Sequence, residues 1–161
     1  MSIQLLLAAL LAFTFTQAEA KATGRVAPSG DAIELEYRDS DGPYTDRIPL
    51  YRSGNIRYFS AGVGIEERMA DYPNFALKVI LAAGSAYLSH VSVSIENSTG
   101  DVRVEIPQER VTGPWLFVDL PTGTYLLSGT KDGLPAMTRN AEVNPGTQTT
   151  VYLRWPREAS P

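Results

Sequence analysis

The chain has 161 residues, of which 43% are hydrophobic and 20% are charged, and this composition is typical of a globular protein with a sizeable core. Its net charge of -4 predicts no binding of nucleic acid, because neutralising phosphates requires clustered Lys and Arg. The chain has no Cys and a single His, His90, so thiol catalysis, disulfides and thiolate metal sites are excluded. We therefore expect neither enzymatic activity nor a bound cofactor or metal.

The first twenty residues predict a removable export signal. Residues 3–15 are almost all apolar, yet they are fewer than the roughly 20 residues that a helix needs to span a bilayer. The small-x-small pattern Ala18-Glu19-Ala20 then predicts cleavage after Ala20, with a site after Ala22 as the alternative. An uncleaved interfacial anchor is the competing interpretation. We expect a periplasmic protein, or alternatively a secreted one, that has no integral membrane segment once the signal is removed.

Residues 21–72 are interpreted as an N-terminal extension. Residues 21–31 are rich in Ala, Gly, Pro and Ser without periodicity, which predicts a linker. Apolar residues then alternate with Glu over 33–37, which predicts a strand, and turn-forming residues follow at 39–43. We predict further short strands at 47–51 and 56–59, and a helix over 65–72 that ends at Pro73. The longest apolar run after the signal, 77–83, is interrupted by Lys78.

Residues 73–156 are predicted to form a β-sandwich, and residues 157–161 are predicted to form a disordered tail. Short alternating stretches recur about every ten residues between Gly- and Pro-containing turns, and such spacing is typical of Ig-like sandwiches. Apolar residues on one face and polar residues on the other predict antiparallel sheets stacked two deep. The fold class is therefore all-β, with seven strands in this region: 75–82, 90–96, 102–106, 115–120, 125–130, 135–143 and 149–155.

One turn carries a resemblance to a known family. The run Leu-Pro-Thr-Gly-Thr-Tyr-Leu-Leu at 120–127, followed by Asp-Gly at 132–133 and Asn-Pro-Gly at 144–146, resembles the carboxypeptidase regulatory-like domain. The stretch 62–155, with Gly-Val-Gly-Ile-Glu-Glu-Arg at its start and Gly-Pro-Trp at 113–115, is similar to small exported proteins of Gram-negative bacteria that carry this domain. The resemblance implies a transthyretin-like (prealbumin-like) sandwich of seven strands. It also implies a module that accompanies other activities without performing catalysis.

The same turn has a structural interpretation of its own. Gly123 follows Pro121 and Thr122 at a position where a positive φ is expected, and Tyr125 then enters a strand. There its ring can pack in the core while its hydroxyl reaches a backbone partner. Pro121, Gly123 and Tyr125 are therefore predicted to be structural residues.

The titratable residues offer few candidate sites. His90 has no second His or Cys to complete an ordinary zinc or nucleophilic site, and Glu66 and Glu67 point in different directions on a helix. Three acids near the first turn superficially suggest calcium, although they lack the ligand spacing of a calcium loop: Asp39, Asp41 and Asp46. Asn97-Ser98-Thr99 matches a glycosylation acceptor, which matters only in a eukaryotic secretory pathway.

Aromatic residues are the one feature with the chemistry of a binding surface. They crowd the extension and recur in the sandwich, where they would either form a stacking platform for sugar or peptide or pack the extension onto the sandwich: Tyr37, Tyr44, Tyr51, Tyr58, Phe59, Trp115 and Trp155. We favour the packing role, because the extension has too few apolar residues to fold alone.

Three functions remain open at this point. The favoured hypothesis is a non-enzymatic periplasmic binding or accessory module whose partner is another envelope protein or a peptide, with carbohydrate as the alternative ligand. The second is a structural, self-associating envelope protein. The third is a hydrolase of the transthyretin-like type, which requires several histidines and basic residues in one cleft, whereas this chain has only His90.

Overall fold

A computed structural model describes residues 21–39 and 41–156. The predicted signal at 1–20, its cleavage after Ala20 and the predicted tail at 157–161 lie outside the described residues. In the described part of the chain, no helix is long and apolar enough to cross a membrane.

The described chain is mostly β, as the sequence predicts. Its only helices within 21–39 and 41–156 are α1 (Ile65–Met69) and a short 3-10 turn at Gln108–Arg110. The strands in chain order are β1 (Thr23–Val26), β2 (Ala32–Asp39), β3 (Gly42–Pro49), β4 (Tyr51–Ser53), β5 (Ile56–Ala61), β6 (Leu77–Ala83), β7 (Ala86–Tyr87), β8 (Ser92–Asn97), β9 (Arg103–Ile106), β10 (Trp115–Val118), β11 (Gly123–Thr130), β12 (Met137–Val143) and β13 (Thr149–Trp155).

These strands form three sheets. The N-terminal sheet has the order β1-β2-β3, the central sheet has the order β13-β6-β10-β5-β4 with β7 also paired to β6, and the distal sheet has the order β12-β11-β8-β9. The expectation of seven strands over 73–156 is not confirmed, because the structure has eight there, β6 to β13, and the described residues as a whole form thirteen strands in three sheets. Each of the seven expected strands overlaps an observed one, but β7 was not expected. The central sheet also contains β4 and β5, which precede the expected start of the sandwich.

The prediction that all strands are antiparallel was wrong at one pair. β13 runs parallel to β6 over its whole length, from Thr149 beside Leu77 to Trp155 beside Ala83. Alternation within a strand reports which side chains are buried, and it carries no information about the direction of the neighbouring strand. The parallel pairing places the last strand of the chain at the edge of the central sheet.

Three local predictions in the extension were also wrong. The expected linker contains β1, which pairs with β2 from Thr23 beside Glu36 to Val26 beside Ile33. The expected strand at 47–51 is divided between β3, which pairs with β2 up to Pro49, and β4, which begins at Tyr51 and pairs with β5. The expected helix over 65–72 ends at Met69, because the Asp71 backbone bonds to Ala22 and Gly24 instead of continuing the helix.

Two hydrophobic cores lie on opposite faces of the central sheet. The larger core takes side chains from the central and distal sheets, including Leu81 and Trp155 from the former and Ile95 and Leu127 from the latter. These two sheets therefore share one core as the layers of a sandwich do. The smaller core lies between the central and N-terminal sheets, and it includes Ile33, Ile48, Leu50, Phe59, Ala61, Phe75 and Phe117.

The turn before β11 is closed by Tyr125. Its ring is buried in the larger core, and its hydroxyl donates a hydrogen bond of 2.8 Å to the carbonyl oxygen of Pro121. Gly123 has a φ of +158°, and its α-carbon lies beside the Tyr125 ring. Burial raises the pKa of the Tyr125 hydroxyl, which therefore stays protonated and able to donate.

We predict that Tyr125→Phe lowers the free energy of unfolding by about 1 kcal/mol, because the ring stays in the core while the bond to Pro121 is lost. Urea unfolding measures the change. Tyr152→Phe is the matched control, since the Tyr152 hydroxyl makes no hydrogen bond with another described residue. An equal loss in both variants would contradict the structural role of the Tyr125 hydroxyl.

Candidate functional site

The most distinctive surface lies on the face of the central sheet that points away from the distal sheet. Side chains of Leu77, Val79 and Leu81 in β6 enter the larger core, so the alternate residues of β6 face the opposite side. The strand pairing extends this face sideways. Ile80 lies between Tyr152 and Trp115, and Ala82 lies between Arg154 and Tyr87.

Two basic residues, Lys78 and Arg154, lie on the same face. Lys78 lies beside Thr150 on one neighbouring strand and Phe117 on the other, and Arg154 lies beside Ala82. We call this surface the outer patch, and it is defined by Lys78, Ile80, Tyr87, Trp115, Tyr152 and Arg154.

Lys78 is half-buried against aromatic rings. Its Nζ lies 3.5 Å from the centre of the Trp115 ring and 5.3 Å from the centre of the Phe117 ring. The negative faces of both rings attract the ammonium, but neither replaces the water that it loses. This burial lowers the pKa of Lys78 below the ordinary value of a lysine.

No carboxylate lies within ion-pair distance of Lys78 or Arg154 in the part of the chain that the structure describes. Five other basic residues there do have such partners: Lys21, Arg25, Arg47, Arg57 and Arg103. The guanidinium of Arg154 instead lies 5.5 Å from the centre of the Tyr152 ring. The outer patch is therefore locally cationic on a protein whose net charge is negative.

The outer patch also exposes aromatic surface. Tyr87 is 54% exposed and Tyr152 is 48% exposed, so both rings are open to solvent on the same face. Trp115 is partly buried against the smaller core, and its Nε1 is buried without a hydrogen-bond partner among the described residues. The indole therefore contributes a ring surface to the outer patch, while its N–H is not available to a ligand.

His90 lies outside the outer patch, in a strained connection before β8. Its φ is +55°, its N–H donates to the Val111 carbonyl oxygen, and its Nδ1 lies 3.0 Å from the Ser89 Oγ. Lys131 donates to the carbonyl oxygens of both Ser89 and His90. These contacts fix the backbone in a left-handed conformation that His tolerates better than most residues.

The two acids of α1 have different surroundings. The Glu67 carboxylate accepts hydrogen bonds from the N–H groups of Gly62, at 2.6 Å, and Val63, at 3.1 Å, so it closes the loop that leads into the helix. Glu66 is exposed. Burial and the nearby Glu67 carboxylate raise the pKa of the Tyr72 hydroxyl well above its usual value, and this hydroxyl donates to the Glu67 carbonyl oxygen.

The remaining candidates form no common centre. No group of three or more acidic or His side chains in the described ranges could hold a metal ion, and Asp46, one of the three acids near the first turn, accepts a hydrogen bond from the Tyr37 hydroxyl at 2.8 Å. Asp41 lies in the turn between β2 and β3, and Asp39 is the last residue of β2. The Asn97 side chain accepts a hydrogen bond from the Val102 N–H.

Two shallow cavities lie away from the outer patch. One, of about 200 Å³, lies against the solvent face of the distal sheet and includes Glu96, Leu126 and Asn140. The other, of about 170 Å³, lies among loops and includes Asp119, Thr122 and Asn144. Each is lined by a single carboxylate and by no His, Lys or Arg, and the Tyr125 hydroxyl at the first is bonded to the Pro121 carbonyl oxygen, so neither offers an acid–base pair.

The aromatic residues of the sequence are used in several ways. Tyr58 and Phe59 are buried in the two cores, Tyr51 packs beside Tyr58, and Tyr37 stacks on Tyr44 across the β2–β3 hairpin. Trp155 is fully buried and its Nε1 donates to the Pro135 carbonyl oxygen at 2.6 Å. Of the seven rings singled out in the sequence, Trp115 alone lies in the outer patch.

Sequence reasoning missed the rest of the outer patch. Tyr87 lies far from Tyr152 and Arg154 in the chain, and the three come together only because β7 and β13 both pair with β6. The one available signal was Lys78, a single charge inside the apolar run 77–83.

Two comparisons, with protein-family models and with curated proteins, identify no relative of this chain. No protein-family model matches the chain, and a comparison with curated proteins finds no match.

We predict that Lys78→Met raises the free energy of unfolding at neutral pH by about 0.5 kcal/mol, because the variant removes a half-buried charge and keeps a flexible apolar chain against Trp115. The unfolded chain retains the ordinary lysine pKa, so it binds more protons than the folded chain between the lowered and the ordinary pKa. The contribution of Lys78 to the free energy of unfolding of the parent protein therefore rises with pH through that interval. The difference in the free energy of unfolding between Lys78→Met and the parent protein becomes smaller.

Urea unfolding at neutral and alkaline pH checks both statements. Ionisation of tyrosines is common to both proteins and cancels in the difference. Lys21→Met is the matched control, since Lys21 is exposed and paired with Asp71. A loss of more than about 1 kcal/mol in Lys78→Met at neutral pH would show that ring attraction outweighs desolvation.

Proposed function

We propose that this chain is an exported, periplasmic β-sandwich module without enzymatic activity, and that it binds another envelope protein or a peptide through the outer patch. We further propose that it is related to carboxypeptidase regulatory-like domains, with the turn at Pro121, Gly123 and Tyr125 as the family-like feature. The export pattern of residues 1–20 supports the location. The core that the central and distal sheets share supports the sandwich.

The observation that carries the binding role is the composition of the outer patch. Exposed Tyr rings, a Trp ring and an Arg guanidinium are the residue types that contribute most to protein–protein binding energy. On the outer patch they lie on one face of a rigid sheet, where Tyr87 and Tyr152 are about half exposed. A sheet face holds such groups in fixed positions, so a partner binds without first ordering the surface.

The geometry favours binding over the hydrolase alternative. A transthyretin-like hydrolase needs several His and basic groups in one cleft, whereas His90 is held by Ser89, Val111 and Lys131 away from the outer patch. The self-association alternative uses the same exposed aromatic surface, so it is an outcome of the test below.

The test is a photo-cross-link made from the outer patch in cells that export the protein. A photoreactive phenylalanine analogue replaces Tyr152 in one variant and Leu126 in the other, because Leu126 is 50% exposed on the distal sheet and provides a matched position. We expect one discrete adduct from position 152 and none from position 126, with the partner identified by mass spectrometry.

Competition then ties the adduct to the outer patch. Unlabelled protein should suppress the adduct, and a Tyr87→Ser/Tyr152→Ser competitor should be at least about tenfold weaker, as expected for loss of hot-spot rings. A Leu126→Ser competitor should match the parent. Equal adducts from both positions would contradict the proposed binding surface, and an adduct of the chain with itself would replace the partner hypothesis with self-association.

A further inference from the structure

We infer that the outer patch takes an acidic protein segment, in which carboxylates flank an apolar side chain. This inference rests on the proposed function and names the chemistry of the partner. It follows from where the two cations lie, from what surrounds them and from the shape of the surface.

The cations lie on opposite sides of an apolar row that crosses the strands. In the parallel ladder Lys78 pairs with Thr150 and Ala82 pairs with Arg154, so the α-carbons of Lys78 and Arg154 are about 14 Å apart from the standard rise and strand spacing. The row of Tyr152, Ile80 and Trp115 runs between them. Lys78 leans over Trp115 and Arg154 leans over Tyr152, so each cation adjoins one aromatic end of the row.

This spacing matches an extended peptide. Residues i and i+4 of an extended chain are about 13 Å apart and point to the same side, and residue i+2 points to that side between them. Acids at i and i+4 would reach Lys78 and Arg154 while an apolar residue at i+2 lies on the aromatic row. The partner's carboxylates would supply counter-charges that the described residues do not give Lys78 and Arg154.

The surroundings of Lys78 favour an ion pair with a carboxylate of the partner. Its ammonium has already lost part of its hydration to the Trp115 and Phe117 rings, so pairing with a carboxylate removes less water than it would at a fully exposed lysine. The low local polarity around it also strengthens the attraction to an arriving carboxylate.

The surface favours a protein segment over a carbohydrate. Small ligands and sugars bind mostly in concave sites, and both described cavities lie elsewhere. Trp115 Nε1 is buried, so this indole cannot donate a hydrogen bond to a sugar hydroxyl. A flat face of Tyr, Trp and cations instead fits apolar and carboxylate groups together.

The test is an NMR titration of the isotope-labelled protein, expressed from its full sequence, with short synthetic peptides. The first peptide has the core Glu-Ser-Phe-Ser-Glu, and the others replace both Glu by Gln, both Glu by Lys, or Phe by Ser. We expect the first peptide to shift amides of β6, β7, β10 and β13 and to bind at least about fivefold more tightly than the Gln and Ser peptides, as charge-assisted and aromatic contacts predict. Binding should weaken at about 1 M salt, where screening acts over about 3 Å.

A pair of variants controls for general charge effects. Arg154→Gln should weaken binding of the first peptide by about fivefold, and Arg139→Gln should leave it unchanged. Arg139 is likewise exposed, and the described residues offer it no carboxylate, but it lies on β12 of the distal sheet. Equal binding of the Glu and Gln peptides, or shifts confined to the distal sheet, would overturn the inference.

An acidic oligosaccharide, oligogalacturonate, serves as the competing probe. Tighter binding of this sugar than of the Glu peptide at the outer patch would also overturn the inference. If a partner is cross-linked at position 152 but the Glu peptide is not preferred, the proposed function stands and only the inference that the partner segment is acidic is removed. Selective Glu-peptide binding without a cross-linked partner would remove the proposed function and leave the chemistry of the patch.

Discussion

The central sheet has to bury both of its faces, and most of the structure follows from this requirement. In β5 and β10, Tyr58 and Leu116 point into the larger core while Phe59 and Phe117 stack on the opposite face with ring centres 4.6 Å apart. The N-terminal sheet covers this second, aromatic face. This sheet packs over Phe59 and Phe117 in β5 and β10, and Tyr87, Tyr152 and Arg154 remain exposed on the same face of the central sheet. The outer patch is the part of this face where Tyr87 and Tyr152 stay about half exposed, while Ile80 between them is buried by its neighbours.

A second constraint positions Trp115 at the border between the covered and the open part. Ser60 donates to the Gly113 carbonyl oxygen and accepts from the Gly113 N–H, which joins β5 to the segment before β10. A β-carbon at Gly113 would lie 2.2 Å from the Ala61 carbonyl oxygen, so only glycine allows this approach. The backbone is thereby held directly beside Trp115.

The sequence predicted features that depend on local pattern and missed those that depend on pairing. Alternation located β8 and β9, and the bounds of β13 matched, because one buried face leaves a period of two. Neither the strand in the expected linker nor the parallel direction of β13 has a local signal, since both arise from a neighbour distant in the chain. For the same reason, local pattern could not predict which aromatic residues lie in the outer patch. Trp115 and Trp155 look alike in the sequence, yet one lies in the outer patch beside Lys78 and the other is buried with its N–H bonded to Pro135.

The proposed binding role would account for the charge at Lys78, because the fold itself does not need a charge there. Ile80 and Ala82 occupy the next two positions on the same side of β6, and both are apolar and buried. An apolar residue at position 78 would fill the same space against Trp115 and Phe117 without losing hydration. We expect the half-buried ammonium to lower the stability of the free protein, and in the proposed complex a carboxylate of the partner would recover the lost interaction. Arg154 differs, since it is exposed and keeps its water, so in that complex it would contribute mainly to attraction at a distance, while Lys78 would contribute to discrimination at contact.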